Sequence, residues 1–177
     1  MSEDRRRAVF FDRDGTLNID HGYVGYWRDF QWTDGAVDAI AWLNQRDILA
    51  IVVTNQSGVA RGFFNEDDVN ALHARMNADL QSSGAAIDAF YFCPYHRDAA
   101  SPQYRHPDHD DRKPNPGMLM KATQQFDINL SRSLLVGDQE SDMAAARAAG
   151  VRGALFTGET PLLELVVREM ERLKRGR

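Results

Sequence analysis

Cysteine is nearly absent from this 177-residue chain, where Cys93 stands alone. No internal disulfide can form, and nothing indicates an oxidising compartment. Long apolar runs are missing too: no stretch reaches the roughly 18 residues of a membrane span. Arg5-Arg6-Arg7 does precede an apolar run, but that run covers only 8–11 before Asp12 interrupts it. It is too short for the core of a signal peptide. A soluble cytoplasmic protein with no membrane partner is the expectation. A surplus of basic charge is lacking as well, with 21 Lys and Arg against 26 Asp and Glu and a net charge of −5. Phosphate backbones demand clustered cations, so nucleic acid is disfavoured as the main partner. There are no repeats and no linker. The 43% hydrophobic and 27% charged residues suit one domain, 1–177, with one sizeable core. A monomer is the default expectation.

Short apolar runs alternate with amphipathic stretches. Strands are predicted over 9–13, 48–53, 87–92, 134–136 and 151–156. Helices are predicted over 35–44, 66–83, 117–126, 140–149 and 161–175. Their ends carry chemical punctuation: Asp34 as an N-cap, Pro116 in a first turn, Gly150 as a helix stop. Residues 18–33 and 93–116 read as long loops, which tend to carry function. This alternation implies an α/β fold: a mostly parallel sheet in three Rossmann-like layers, with helices on both faces. No insertion is long enough for a large cap domain. Polar clusters follow the first four strands, so they should meet at the carboxyl edge of the sheet, where ligands bind.

The first cluster is Asp12-Arg13-Asp14-Gly15-Thr16-Leu17 after the strand 9–13. Strand alternation would point Asp12 and Asp14 the same way, with Arg13 opposed. Two acids so placed need a cation between them, or one must keep its proton. A helix-capping polar loop or a calcium loop has the same local pattern. Thr54-Asn55 ends the second predicted strand, where a hydroxyl can donate to a phosphoryl oxygen; a helix N-cap is the alternative. In Arg112-Lys113-Pro114-Asn115-Pro116-Gly117, Lys113 sits at a loop–helix junction, biased to extended backbone by Pro114. Asp138 leaves the fourth predicted strand, and Asp142 follows one helical turn later. Hard carboxylate oxygens in this number suit Mg²⁺. Asp142 equally fits an ordinary acid in a helix's first turn.

Together these four segments resemble the motifs of the haloacid dehalogenase-like (HAD-like) phosphatases. The resemblance covers nearly the whole chain and implies phosphomonoester hydrolysis through an aspartyl-phosphate. It implies Asp12 as nucleophile, Asp14 as a general acid and base that can stay protonated, and Thr54 and Lys113 as neutralisers of phosphoryl charge. Mg²⁺ would be held by Asp12, Asp138 and the Asp14 carbonyl, with Asp142 orienting Lys113 or a metal-bound water.

Within that family the chain resembles the histidinol-phosphate and heptose-bisphosphate phosphatase group. Asn18-Ile19-Asp20-His21-Gly22-Tyr23 is similar to that group's first substrate loop, and Thr54 to Gly62 is similar to the heptose members' second motif. The implied substrate is a small phosphorylated sugar, a heptose 1,7-bisphosphate of heptose nucleotide biosynthesis. Histidinol phosphate is the alternative. Asp20, Tyr23, Asn55, Arg61 and Arg112 become candidate substrate contacts, the two arginines for a second phosphate. The loops 18–33 and 93–112 would shape the pocket. Many members hold a structural zinc in the second loop. Here only Cys93, His96, His106 and His109 remain, with Tyr95 at a usual ligand position and no second cysteine pair, so structural Zn²⁺ is not expected. A DNA 3′-phosphatase and a non-catalytic phospho-ligand-binding protein on the same fold are the competing readings.

Overall fold

Every second residue of a strand faces the same side, so a strand buried on both faces must be apolar throughout. Ala8-Val9-Phe10-Phe11 meets that requirement, and all four are fully buried. In the computed structural model, which describes residues 5–175, they form the central strand β1 (Ala8–Phe11). Four further strands lie parallel to it: β2 (Leu49–Asn55), β3 (Ala89–Cys93), β4 (Leu134–Gly137) and β5 (Arg152–Leu155). Their order is β3-β2-β1-β4-β5, with Phe11 in register with Val52 on one side and Val136 on the other.

Alternate residues of each strand feed two cores. Val9, Phe11, Ala50, Val52, Leu134 and Val136 pack beneath α1 (Ala36–Asn44), α3 (Glu66–Leu80) and α6 (Leu162–Arg175). Ala8, Phe10, Leu49, Ile51, Val53 and Leu135 pack beneath α4 (Gly117–Phe126) and α5 (Glu140–Ala149). The α/β reading and the three layers are as predicted. Among the described residues no helix is long and apolar enough to cross a membrane.

Three local expectations need correction. Asp34 does not cap α1. The N-cap is Gly35 in left-handed backbone (φ 74°), without a side-chain cap bond, and the Asp34 carbonyl accepts instead from the Leu162 N–H of α6. The helix predicted over 66–83 ends at Leu80 and tightens into a 3₁₀ turn at Gln81–Ser83. Residues 18–33 are an ordered excursion rather than a plain loop. Ile19 N–H bonds the Gln31 carbonyl, Thr33 N–H the Leu17 carbonyl, and Trp32 Nε1 donates to Asp79 Oδ2 at 2.8 Å. A single helical turn, α2 (Ser57–Ala60), follows β2; four residues carry no periodicity to detect.

One clasp ties α6 to the edge strand. Glu169 is 4% exposed and takes Arg152 at 2.8 Å, Arg172 at 2.6 Å and Arg168 at 3.3 Å. Burial alone would raise its carboxyl, but these guanidiniums outweigh that and hold it below the usual carboxylate range. A lowered folded value means stability present above the ordinary 4.5 and lost as pH falls beneath it. Glu169→Gln should therefore cost about 1–2 kcal/mol at pH 7, a Tm fall of roughly 3–6 °C. The gap between parent and variant should narrow at pH 4; a gap of the same size there would contradict the clasp.

Candidate active site

The carboxyl ends of β1, β2 and β4 lie side by side, so whatever residues end those strands converge. Asp12 follows β1, and its N–H donates to the Val136 carbonyl of β4 at 2.9 Å. Lys113 arrives from the loop before α4. Its Nζ lies 2.9 Å from Asp12 Oδ1 and 2.6 Å from Asp142 Oδ1, with all three side chains nearly enclosed. The lysine is held by its backbone: its N–H donates to Asn55 Oδ1, and Asn55 Nδ2 donates to its carbonyl, each at 3.0 Å. The Lys113–Pro114 peptide is cis. Asp142 is fixed in turn, because its Oδ2 accepts the Gln139 N–H at 3.0 Å in the capping box of α5.

Close backbone approach makes this packing feasible. Gly15 has φ 81°, and a Cβ there would lie 2.4 Å from Asp138 Oδ2. A Cβ on Gly137 would lie 2.3 Å from the Asp142 carboxyl carbon. Any side chain at either position would displace a carboxylate.

Electrostatics reflect the crowding. Burial, with the neighbouring Asp142 and Asp14 opposing the help of Lys113, pushes the Asp12 carboxyl up to about 7. Burial and Asp142 likewise push Asp138 up. Burial would depress Lys113, but the Asp12 and Asp142 carboxylates outweigh it and raise the ammonium above its ordinary value. Such an acidic cluster is what a divalent cation relieves. Asp12, Asp138 and Asp142 bring carboxylate oxygens within 4.8 Å of one another, and Asp138 Oδ1 is buried with no hydrogen-bond partner. Hard oxygens with one oxygen unpartnered fit Mg²⁺. Both Asp142 oxygens are already engaged, which suits it better to orienting Lys113 than to ligation.

Asp14 departs from the expectation. The strand stops at Phe11, so alternation no longer applies and Arg13 does not point away. Its guanidinium, fully buried, turns onto Asp14, 3.2 Å from Oδ1 through Nε and 3.1 Å from Oδ2 through Nη2. Asn18 Nδ2 adds a bond to Oδ1 at 3.0 Å and Gln56 Nε2 one to Oδ2 at 2.8 Å. The partners of Asp14 all donate to its two oxygens, and together they fix its place over the cavity. Arg13, Gln56 and His73, which faces Arg13, were missed in the sequence.

The cavity above these groups is about 410 Å³ and is lined by Asp12, Asp14, Lys113, Asp138, Asp142 and Asn55, with Asp20, Gly22 and Tyr23 from the first loop. Asn55 thus borders it, but both ends of its amide serve the Lys113 backbone. Thr54 is 1% exposed and its Oγ1 accepts from Gln56 Nε2 at 2.9 Å, leaving the hydroxyl proton to donate. Tyr23 stands at φ 55°, half exposed, with Arg61 over its ring at 5.8 Å.

The second loop does not wall this cavity, contrary to expectation. It is tied to α2 and the start of α3 instead: the Ala100 N–H donates to the Ala60 carbonyl, and Tyr104 Oη to Glu66 at 2.9 Å. Arg112 Nη1 donates to the Tyr95 carbonyl at 3.0 Å. Burial, with Arg61 and Arg97 nearby, lowers the Arg112 guanidinium from its ordinary value. Cys93, His96 and His109 do not converge on one point, since Asp12, Asp138 and Asp142 are the one metal-competent group among the described residues. His96, His106 and His109 each use Nδ1 to accept the N–H two residues on, from Asp98, Asp108 and Asp111. Tyr95 stacks on His109 with centroids 4.1 Å apart. These residues do not fit a zinc site, and the loop is fastened by stacking and turns instead.

A HAD-hydrolase-like family model matches residues 111–166, the segment of Lys113, Asp138 and Asp142. The chain is 42% identical to D-glycero-beta-D-manno-heptose-1,7-bisphosphate 7-phosphatase of Rhodopseudomonas palustris, over 97% of this chain and 96% of that one. A crystal structure from Mesorhizobium loti, assigned as a HAD-like phosphatase, superposes with a TM-score of 0.84 at 35% identity, covering 96% of this chain and 88% of that one. D,D-heptose 1,7-bisphosphate phosphatase from B. bronchiseptica, solved with magnesium and phosphate, superposes with a TM-score of 0.77 at 28% identity, covering 94% and 99%.

Proposed function

This chain belongs to the heptose-1,7-bisphosphate 7-phosphatase family of HAD-like hydrolases, and we propose that it removes the 7-phosphate of a D-glycero-D-manno-heptose 1,7-bisphosphate. The observation that carries the reading is the buried row Asp12, Lys113 and Asp142 beside an Asp138 carboxylate with an unpartnered oxygen. A carboxylate cluster neutralised by a single lysine is built to receive a cation and a dianion together.

Asp12 is the nucleophile. Its carboxylate attacks phosphorus as the bond from phosphorus to the sugar oxygen breaks, and Asp14 gives that oxygen a proton. Water then attacks the aspartyl-phosphate, its proton passes to Asp14, and inorganic phosphate leaves. Lys113 and the Thr54 hydroxyl meet phosphoryl charge as it develops. Asp142 holds the Lys113 ammonium at the angle this requires. Asp12, Asp138 and the Asp14 carbonyl would hold Mg²⁺, which supplies Lewis-acid neutralisation of phosphoryl charge when bound. The magnesium of the B. bronchiseptica enzyme supports that choice of ion. Asp20 and Tyr23 face the sugar, with Arg61, which lies over the Tyr23 ring, for its distal phosphate.

The test is phosphate release from heptose 1,7-bisphosphate and from histidinol phosphate, each with Mg²⁺ and with chelator. Faster release from the heptose substrate, abolished by chelator and restored by Mg²⁺, is the expected result. Preference for histidinol phosphate would overturn the substrate, and activity in chelator would overturn the metal.

A further inference from the structure

We propose that Arg13 is a positioning residue for Asp14, holding that carboxylate at one place over the cavity and fastening to it the loop that carries Asp20 and Tyr23. A fully buried guanidinium is costly unless all its donors are used. Here each of its three nitrogens has a partner, and four acceptors share the two Nη2 hydrogens. Nε and Nη2 reach Asp14 Oδ1 at 3.2 and 3.1 Å, and Nη2 reaches Asp14 Oδ2 at 3.1 Å. Nη2 also meets Gln56 Oε1 at 3.1 Å and the Val24 carbonyl of the first loop. Gln56 Nε2 completes the ring, donating to Asp14 Oδ2 at 2.8 Å and Thr54 Oγ1 at 2.9 Å.

His73 of α3 closes the far side. Its Nε2 lies 3.3 Å from Arg13 Nη1, and its ring stacks on Phe90 with centroids 4.4 Å apart. Burial, reinforced by Arg13, pushes the imidazole down to about 3, so it is a neutral acceptor that anchors the guanidinium without repelling it. A planar fork presenting parallel donors fixes a carboxylate in rotation as well as distance, which a point charge cannot do. One side chain therefore links Asp14, Gln56, Thr54 and the backbone of the substrate loop.

This inference rests on Asp14 being the proton-transferring group proposed above. Leaving-group chemistry separates positioning from mere support. A sugar alkoxide needs a proton as it departs; the p-nitrophenolate of p-nitrophenyl phosphate does not. The kcat/KM for each substrate reports only steps up to phosphoenzyme formation. Arg13→Lys and Gln56→Met should lose roughly tenfold or more kcat/KM on heptose bisphosphate beyond their loss on the aryl phosphate. The loss should sit in kcat rather than KM. Equal losses on both substrates would overturn the inference. Should Arg13→Lys fail to fold by circular dichroism, the Gln56→Met ratio decides alone. Asp14→Asn calibrates the comparison. If it too shows no leaving-group bias, the assignment of Asp14 fails and this inference falls with it. If it shows the bias while Arg13→Lys and Gln56→Met do not, only the role of Arg13 is lost.

Discussion

Asp12→Asn should lower phosphate release by on the order of 10⁴-fold or more while leaving the protein folded, because it removes the nucleophile and keeps the shape. The stability half of this prediction follows from the raised carboxyl. A folded value of about 7 against an ordinary 3.8 means that the fold disfavours the ionised form. That contribution is favourable below pH 3.8 and is lost as pH rises through about 7. At pH 8 the metal-free parent carries the full cost, which an uncharged amide does not. The variant's Tm in chelator should match or exceed the parent's, and Mg²⁺ should raise the parent's Tm more than the variant's. Measuring Tm with and without Mg²⁺, beside phosphate release, checks both halves. Retained activity would refute Asp12 as nucleophile.

Lys113→Met should be the most damaging change to stability and should also slow the reaction. Its ammonium touches Asp12 and Asp142 at once, and both carboxylates are nearly enclosed. Removing one member of a buried ion pair leaves uncompensated charge and costs about 3–5 kcal/mol. For a chain of this size that is a Tm fall of roughly 10 °C. Loss of a preorganised cation at the developing phosphoryl charge should lower kcat by roughly 10²–10³-fold. Mg²⁺ binds only the folded site, so it should return part of the lost Tm without returning the rate. Thermal unfolding with and without Mg²⁺, set beside turnover at saturating substrate, measures the two effects separately. A variant as stable and active as the parent would show that the Asp12, Lys113, Asp142 row is not the centre of the site.

Much of this site is legible before any coordinates because it is built on strand ends. Asp12, Thr54 and Asp138 each follow a run of buried apolar residues, and parallel strands in one sheet must bring such ends together. Lys113 is legible from its place between a loop and a helix start. The partners of these residues are not. Strand alternation sends Arg13 away from Asp14 only while the backbone stays extended, and the chain turns at Arg13, whose carbonyl accepts from the N–H groups of Thr16, Leu17 and Asn18. Asn55 reads as a substrate contact from its neighbour Thr54. Its clasp on Lys113 spans 58 residues of sequence, and no local pattern reports it. The same holds for His73, which sits on α3 at ordinary core spacing and shows its purpose only when the turn after β1 brings Arg13 against it.

The amino-acid sequence by itself determined the order of strands and helices, the edge at which chemistry collects, and the residue types that arrive there. Periodicity and apolar runs are local properties, and they survive without knowledge of the fold. The tertiary structure alone decided which charge faces which. It set Arg13 on Asp14, engaged both Asp142 oxygens with Lys113 and the Gln139 N–H, and tied the loop 93–112 to α2 and the start of α3. Those outcomes depend on contacts between residues far apart in the chain. There, burial makes each unpaired charge costly enough that only one arrangement satisfies them all.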